Sequence, residues 1–200
     1  MQVDPNILIR PCEEVYGPSD DTWLLINALE VIRDERVLEM GCGTGVVSLH
    51  MAKLGAKVTC VDINPRAVEC TKWNASRNDL LLNVMESDLF QMVPGTFDLI
   101  VFNPPYLRGT SEHMQDLSWA GGPTGTETLH RFLEQTYGHL ADGGRVVVVV
   151  SSLMHQAALD KVLKGFHVRE LASMRLFFEE LKVLELKVSE IGPRRPRSYF

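Results

Sequence analysis

The sequence predicts a doubly wound α/β fold, one open and mostly parallel sheet with helices on both faces, and three observations carry that expectation. Short apolar runs alternate with stretches of helical spacing along 200 residues. One run, Arg145 to Ser151, is almost pure valine, and a glycine-rich turn closes the first run. A continuous valine run marks a strand buried on both faces, as in parallel sheets covered by helices.

Residues 1–18 are polar and carry Pro5, Pro11 and Pro18, which reads as an extended lead-in. A helix should start near Ser19-Asp20-Asp21, whose short side chains suit its free amides, and run through Trp23, Leu24, Ile26, Leu29 and Val31. Arg36 to Met40 is a short strand ending in Gly41-Cys42-Gly43-Thr44-Gly45, and Val46 to Leu54 has helical spacing. Lys57 to Val61 is a second strand, followed by a helix from Pro65 to Arg77 with proline in its first turn. Leu81 to Glu86, Phe97 to Phe102 and Arg145 to Ser151 are the third to fifth strands. A helix from about Thr126 to Leu140, stopped by Asp142-Gly143-Gly144, lies between the last two. Helix 155–164 and strands near 167–174 and 181–188 complete the pattern.

A chain of this length buries roughly 70 % of the surface its unfolded form exposes, so one domain spanning 1–200 needs neither metal nor disulfide for stability. The four cysteines, Cys12, Cys42, Cys60 and Cys70, show no C-x-x-C spacing. They indicate neither a zinc site nor a disulfide framework, and Cys42, Cys60 and Cys70 read as small buried hydrophobes. A formal charge of -6 argues against unaided nucleic-acid binding. The dense basic cluster Arg194-Arg195-Pro196-Arg197 reads as a solvated tail over 192–200. No run is long and apolar enough to span a bilayer and no leader pattern opens the chain, so the expected compartment is the cytoplasm and no membrane partner is expected.

Gly41-x-Gly43-x-Gly45 closes a strand and opens a helix, so backbone amides can approach a ligand without side chains in the way. Asp62 ends the next strand, seventeen residues after Gly45, where a ribose-binding carboxylate belongs. Together they indicate a nucleoside-bearing cofactor. The spacing is G-x-G-x-G, not the G-x-G-x-x-G of pyrophosphate-binding dehydrogenases, and Glu39 precedes it by two residues.

Asn103-Pro104-Pro105-Tyr106 follows the fourth strand. The Asn103 amide oxygen and the Pro104 carbonyl can converge on one spot beside the Tyr106 ring, a geometry suited to a planar NH2 group awaiting alkylation. The prolines also make a stiff exit from the sheet, because proline restricts its neighbour and cannot continue the ladder.

These motifs carry a resemblance. Glu39-x-Gly41-x-Gly43-x-Gly45 resembles motif I of class I S-adenosylmethionine-dependent methyltransferases, and Asn103 to Tyr106 resembles the corner shared by HemK/PrmC-like protein glutamine methyltransferases and by amino methyltransferases of adenine or guanine. Val15-Tyr16-Gly17-Pro18-Ser19-Asp20-Asp21-Thr22-Trp23-Leu24-Leu25 is similar to the N-terminal signature of the archaeal and eukaryotic release-factor branch, with Asp20 where Glu is usual. Gly121-Gly122-Pro123-Thr124-Gly125 is similar to a glycine-rich segment of HemK-like enzymes.

The resemblance implies a Rossmann-like seven-stranded sheet with one antiparallel C-terminal strand. It also implies S-adenosylmethionine as cofactor and N5-methylation of the glutamine in the Gly-Gly-Gln loop of a class I peptide-release factor. Tyr16, Asp21, Thr22, Glu39, Gly41, Gly43, Gly45, Asp62, Ile63, Asp88, Leu89 and Asn103 would then form the cofactor site. Asn103, Pro104, Pro105 and Tyr106 would hold the substrate, with Asn103, Pro104 and Tyr106 at the reacting group; no metal is implied. Helix capping competes for Asp21 and Thr22.

Leu107 to Trp119, with Arg108, His113 and Met114, reads as a substrate-facing loop. The apolar third strand, Leu80 to Met85, should lie at a sheet edge, and the resembled branch pairs this edge with a small zinc-binding activator protein. Two other functions compete: methylation of an adenine or guanine amino group, and a cofactor-binding scaffold without catalysis.

Overall fold

In the computed structural model, residues 1–109 and 120–189 are described. The expected substrate-facing loop from 110 onward, with His113, Met114 and Trp119, and the basic tail lie outside them. Among the described residues, seven strands and five helices follow in the order α1 (Asp20–Ala28), β1 (Arg36–Met40), α2 (Val46–Lys53), β2 (Lys57–Asp62), α3 (Pro65–Arg77), β3 (Asn83–Glu86), β4 (Phe97–Phe102), α4 (Glu127–Thr136), β5 (Leu140–Ser151), α5 (Gln156–Val162), β6 (Phe166–Arg175) and β7 (Glu180–Val188).

The strands form one sheet in the order β3-β2-β1-β4-β5-β7-β6. β7 runs antiparallel to both neighbours, and the other pairings are parallel. Alternate residues of the central strands enter opposite cores, as a period of two requires. Leu38, Ile100, Val146 and Val148 pack with Leu129, Phe132 and Leu133 of α4. Val37, Leu99, Val147 and Val149 pack with Leu24, Leu25 and Ile26 of α1 and with Val46 and Met51 of α2. The strand order reverses between β1 and β4, and the crevice at their carboxyl ends is where ligands bind in open α/β sheets.

Four expectations need correction, the first two being that α1 stops at Ala28, short of Leu29 and Val31, and that β3 begins at Asn83 with Leu81 and Leu82 ahead of it. α4 ends at Thr136, and Asp142-Gly143-Gly144 lies inside β5, not after a helix. Leu140 pairs with Phe97 while Arg145 pairs with Leu99, so the three residues bulge out of register, and Gly143 accommodates this with φ +73°. Cys70, on α3, is not a free hydrophobe but bridges to Cys12 in the lead-in, with Cα atoms 6.1 Å apart. Only the path of the lead-in across α3 brings them together. Cys42 and Cys60 are free and buried.

The lead-in is stitched to α3 by asparagines that imitate a strand. Leu8 donates to Asn78 Oδ1 while Asn78 Nδ2 donates back to the Leu8 carbonyl, both at 2.8 Å. Arg10 and Asn74 repeat the bracket at 2.9 and 3.2 Å. This strap delivers Val15 to Pro18 to the crevice.

Candidate active site

The carboxyl ends of β1 to β4 and the first turn of α1 surround a cleft of about 260 Å³, near the lower end for small-molecule sites. Every residue named for the cofactor site and for the Asn103 to Tyr106 corner lines it except Gly45, whereas Arg108 of the expected substrate-facing loop does not. That glycine sits at the N-terminus of α2 with φ +80°. A Cβ there would come within 2.8 Å of the Thr71 side chain, so Gly45 lets α2 approach α3 and does not face the cleft.

The acids are held in different ways. Glu39 is buried and accepts a hydrogen bond from Ser48 Oγ, and burial pushes its carboxyl up to about 8. Asp62 accepts from the Gly43 and Asn64 amides, each at 2.9 Å, tying the glycine turn to the end of β2. Its burial also raises the carboxyl pKa, against the pull of those amides. Asp88 accepts from Arg131 of α4 at 2.9 Å. The adjoining Leu89 is buried with φ +49°, a conformation unusual for a side chain larger than glycine and held by Ser87, whose hydroxyl donates to the Leu89 carbonyl at 2.8 Å.

Asp21 is only 3 % exposed yet is not a plain helix cap. Its Oδ1 accepts from the Thr22 amide at 2.6 Å and the Thr22 hydroxyl at 3.1 Å, and its Oδ2 accepts from the Tyr16 and Tyr106 hydroxyls at 3.4 and 3.3 Å. Thr22 in turn accepts from the Ser19 amide at 3.3 Å, so it both closes the first turn of α1 and supports Asp21. Burial, and next the Asp21 charge, raises the Tyr106 hydroxyl far above its usual pKa, which keeps it a donor.

At the corner itself, Pro104 is buried and Asn103 Oδ1 is buried without a hydrogen-bond partner, alone in this among the described side chains. The glycine-rich segment fixes the corner from behind. A Cβ on Gly121 would lie 2.4 Å from the Pro105 carbonyl oxygen, and one on Gly125 would lie 2.4 Å from that of Tyr106. The Gly121 amide donates to the Leu107 carbonyl at 2.8 Å. Ser48, Thr71, Arg131 and the backing role of Gly121 and Gly125 are not signalled by any local spacing, because their partners are distant in sequence.

A seven-stranded sheet with this strand order, a glycine turn after β1, acids after β2 and β3, and an Asn-Pro-Pro-Tyr corner after β4 define a class I methyltransferase. The chain belongs to the methyltransferase small domain family, whose model matches residues 19–175. It is 42% identical over 186 residues to a putative protein N5-glutamine methyltransferase of Methanocaldococcus jannaschii, covering 90% of this chain and 94% of that one. It is 32% identical over 194 residues to methyltransferase HEMK2 of Homo sapiens, covering 88% and 91%. Among solved structures it resembles the E. cuniculi Mtq2-Trm112 complex, responsible for methylating the eRF1 translation termination factor. There the TM-score is 0.71 at 26% identity, over 88% of this chain and 99% of that one.

Proposed function

We propose that the chain transfers methyl from S-adenosylmethionine to the side-chain nitrogen of the glutamine in the Gly-Gly-Gln loop of a class I peptide-release factor. The observation that carries this reading is Asn103 Oδ1, a buried acceptor with no partner of its own. An unsatisfied buried polar atom costs about 1–3 kcal/mol, so its persistence at the end of β4 fits an acceptor kept for an incoming N–H. The kinship with N5-glutamine methyltransferases favours an amide as that donor.

The cleft suits the cofactor. Gly41 and Gly43 set a turn free of side chains beside its methionine part, with Tyr16, Asp21, Thr22 and Glu39 around that end. Asp62 and Ile63 suit the ribose, and Asp88 with Leu89 suits the adenine. When bound, S-adenosylmethionine supplies a methyl carbon activated by a sulfonium. Asn103 Oδ1 and the Pro104 carbonyl accept the two hydrogens of the glutamine amide, which turns its nitrogen toward that carbon and eases its loss of planarity. Tyr106, tethered to Asp21, packs on the planar group and excludes water. The methylated nitrogen is acidic enough to lose its proton to solvent at the mouth of the cleft, so no side-chain base is required.

The edge strand suits a partner. β3 has a neighbour on one side only, and Leu81, two residues ahead of it, is 95% exposed. We infer that a small zinc-binding activator pairs with Leu80 to Met85 in a heterodimer, a reading the Mtq2-Trm112 likeness supports. Coexpression with such an activator is expected to raise solubility and cofactor affinity; equal affinity by calorimetry with and without it would remove the functional part of this reading.

Radiolabelled methyl transfer to purified release factor, RNA and DNA, with activator present, tests the substrate. Label is expected in the release factor and absent from its Gln→Ala loop variant. Label in nucleic acid alone would assign the corner to a base, and no label anywhere with cofactor bound would leave a scaffold.

A further inference from the structure

We propose that the turn joining β6 to β7, tipped by Phe177 and Phe178, is a docking element for the protein surface around the acceptor glutamine. The inference rests on the glutamine reading above and adds where the body of the substrate binds.

The two rings are 93% and 86% exposed, the largest apolar side chains so open among the described residues, and they pack edge to face with centroids 4.8 Å apart. Rings this exposed stay in water at a cost that a partner surface removes, and aromatic residues are enriched at the cores of protein interfaces. Topology puts them beside the cleft. β7 is antiparallel to β5, so the start of β7 and the end of β6 lie at the same end of the sheet as the carboxyl ends of β4 and β5. β7 is two strands from β4, about 10 Å at the usual strand spacing, so the turn lies on the Asn103 side of the crevice.

The base of the turn is anchored to the same end. Glu179 accepts a hydrogen bond from Ser151 Oγ, and the Ser152 amide donates to the Glu180 carbonyl at 2.9 Å. The Glu179 charge acts on both Tyr16 and Tyr106, which places this turn within electrostatic reach of two cleft-lining rings. Tyr16 and Leu107, also exposed, line the cleft itself. Glu180 is matched by Arg175 and Lys182, each at 4.0 Å, which leaves the Glu179 carboxylate beside the rings to oppose a phosphate backbone, so the pair fits the apolar flank of a protein loop better than stacked bases.

The test is steady-state methylation by Phe177→Ser/Phe178→Ser, with activator present, of intact release factor and of a short peptide containing its glutamine loop. Both side chains are solvent-exposed, so the fold should persist, checked by circular dichroism and by unchanged cofactor affinity. The expected result is a rise of 10-fold or more in KM for the intact protein, with kcat and the rate on the peptide unchanged. Equal losses on both substrates, or none on either, would overturn the docking role. So would a wild-type dimer in sedimentation that the double variant dissolves, which would assign the rings to a second copy, or loss of RNA binding alone. If the wild type methylates no release factor, the substrate reading itself fails and the docking role with it; a wild type that does so while the variant equals it removes the docking role only.

Discussion

The Tyr106 hydroxyl and the Asp21 carboxylate meet at 3.3 Å, although 85 residues separate them in the chain. The contact joins the Asn-Pro-Pro-Tyr corner to the first turn of α1, and Tyr16 reaches the same carboxylate oxygen from the lead-in. Three segments that are separate in sequence thereby share one buried charge.

Tyr106→Phe keeps the ring and removes that tether. A bond of this length to a carboxylate is worth about 1 kcal/mol, so kcat/KM should fall about five-fold. Because the hydroxyl stays protonated throughout the neutral range, the variant should leave the shape of the pH profile unchanged. A profile that changes shape would mean that Tyr106 moves a proton.

Asn103→Ala and Asp62→Ala should separate chemistry from cofactor binding. Loss of the unpartnered Oδ1 removes the acceptor that the proposed function gives to the substrate amide, and turnover should drop about 100-fold or more with little change in cofactor affinity. Asp62→Ala should instead weaken cofactor binding on the order of 10- to 100-fold, and frees the Gly43 amide as well. Calorimetry and single-turnover rates on both variants decide this; a near-normal rate in Asn103→Ala would refute its assignment.

Glu39 makes the cofactor-free protein sensitive to pH. Its carboxyl holds a proton more tightly folded than unfolded, so its contribution to stability is full below the ordinary 4.5 and declines as pH rises toward about 8. Asp62, raised by burial too, adds to the same slope. Glu39→Gln should flatten the fall of Tm across that window without abolishing it. An unchanged slope would show that Glu39 is already ionised.

The Cys12–Cys70 bridge closes a loop of 58 residues, for which chain entropy alone gives roughly 4 kcal/mol. Cys12→Ser should lower Tm by on the order of 10 °C in the non-reduced protein. It should also weaken cofactor binding, because the strap carries Tyr16 to the cleft. If the variant and the wild type have the same Tm under non-reducing conditions, the bridge does not form in solution.

Local signals sufficed for much of this protein. The valine run at Arg145 to Ser151, the proline at the start of α3 and the G-x-G-x-G turn each depend on a few adjacent residues, and the positions of β1, α3 and the carboxyl half of β5 were legible for that reason. The corner was legible too, since Asn-Pro-Pro-Tyr carries its stiffness and its acceptors within four residues. Element ends governed by pairing were not. β5 begins at Leu140 because Phe97 pairs with it, and no local pattern reports a partner 43 residues away.

The sequence by itself therefore determined the order of elements, the class of sheet and most of the residues that line the cleft at the carboxyl ends of the strands. Tertiary structure alone decided that Asp21 collects two tyrosines, that Arg131 holds Asp88, that Gly121 and Gly125 back the corner, and that Cys12 meets Cys70. The physical reason is range. Propensity, turn chemistry and periodicity act between neighbours, whereas a buried hydrogen bond, a close backbone approach or a disulfide depends on where the folded sheet sets distant segments side by side.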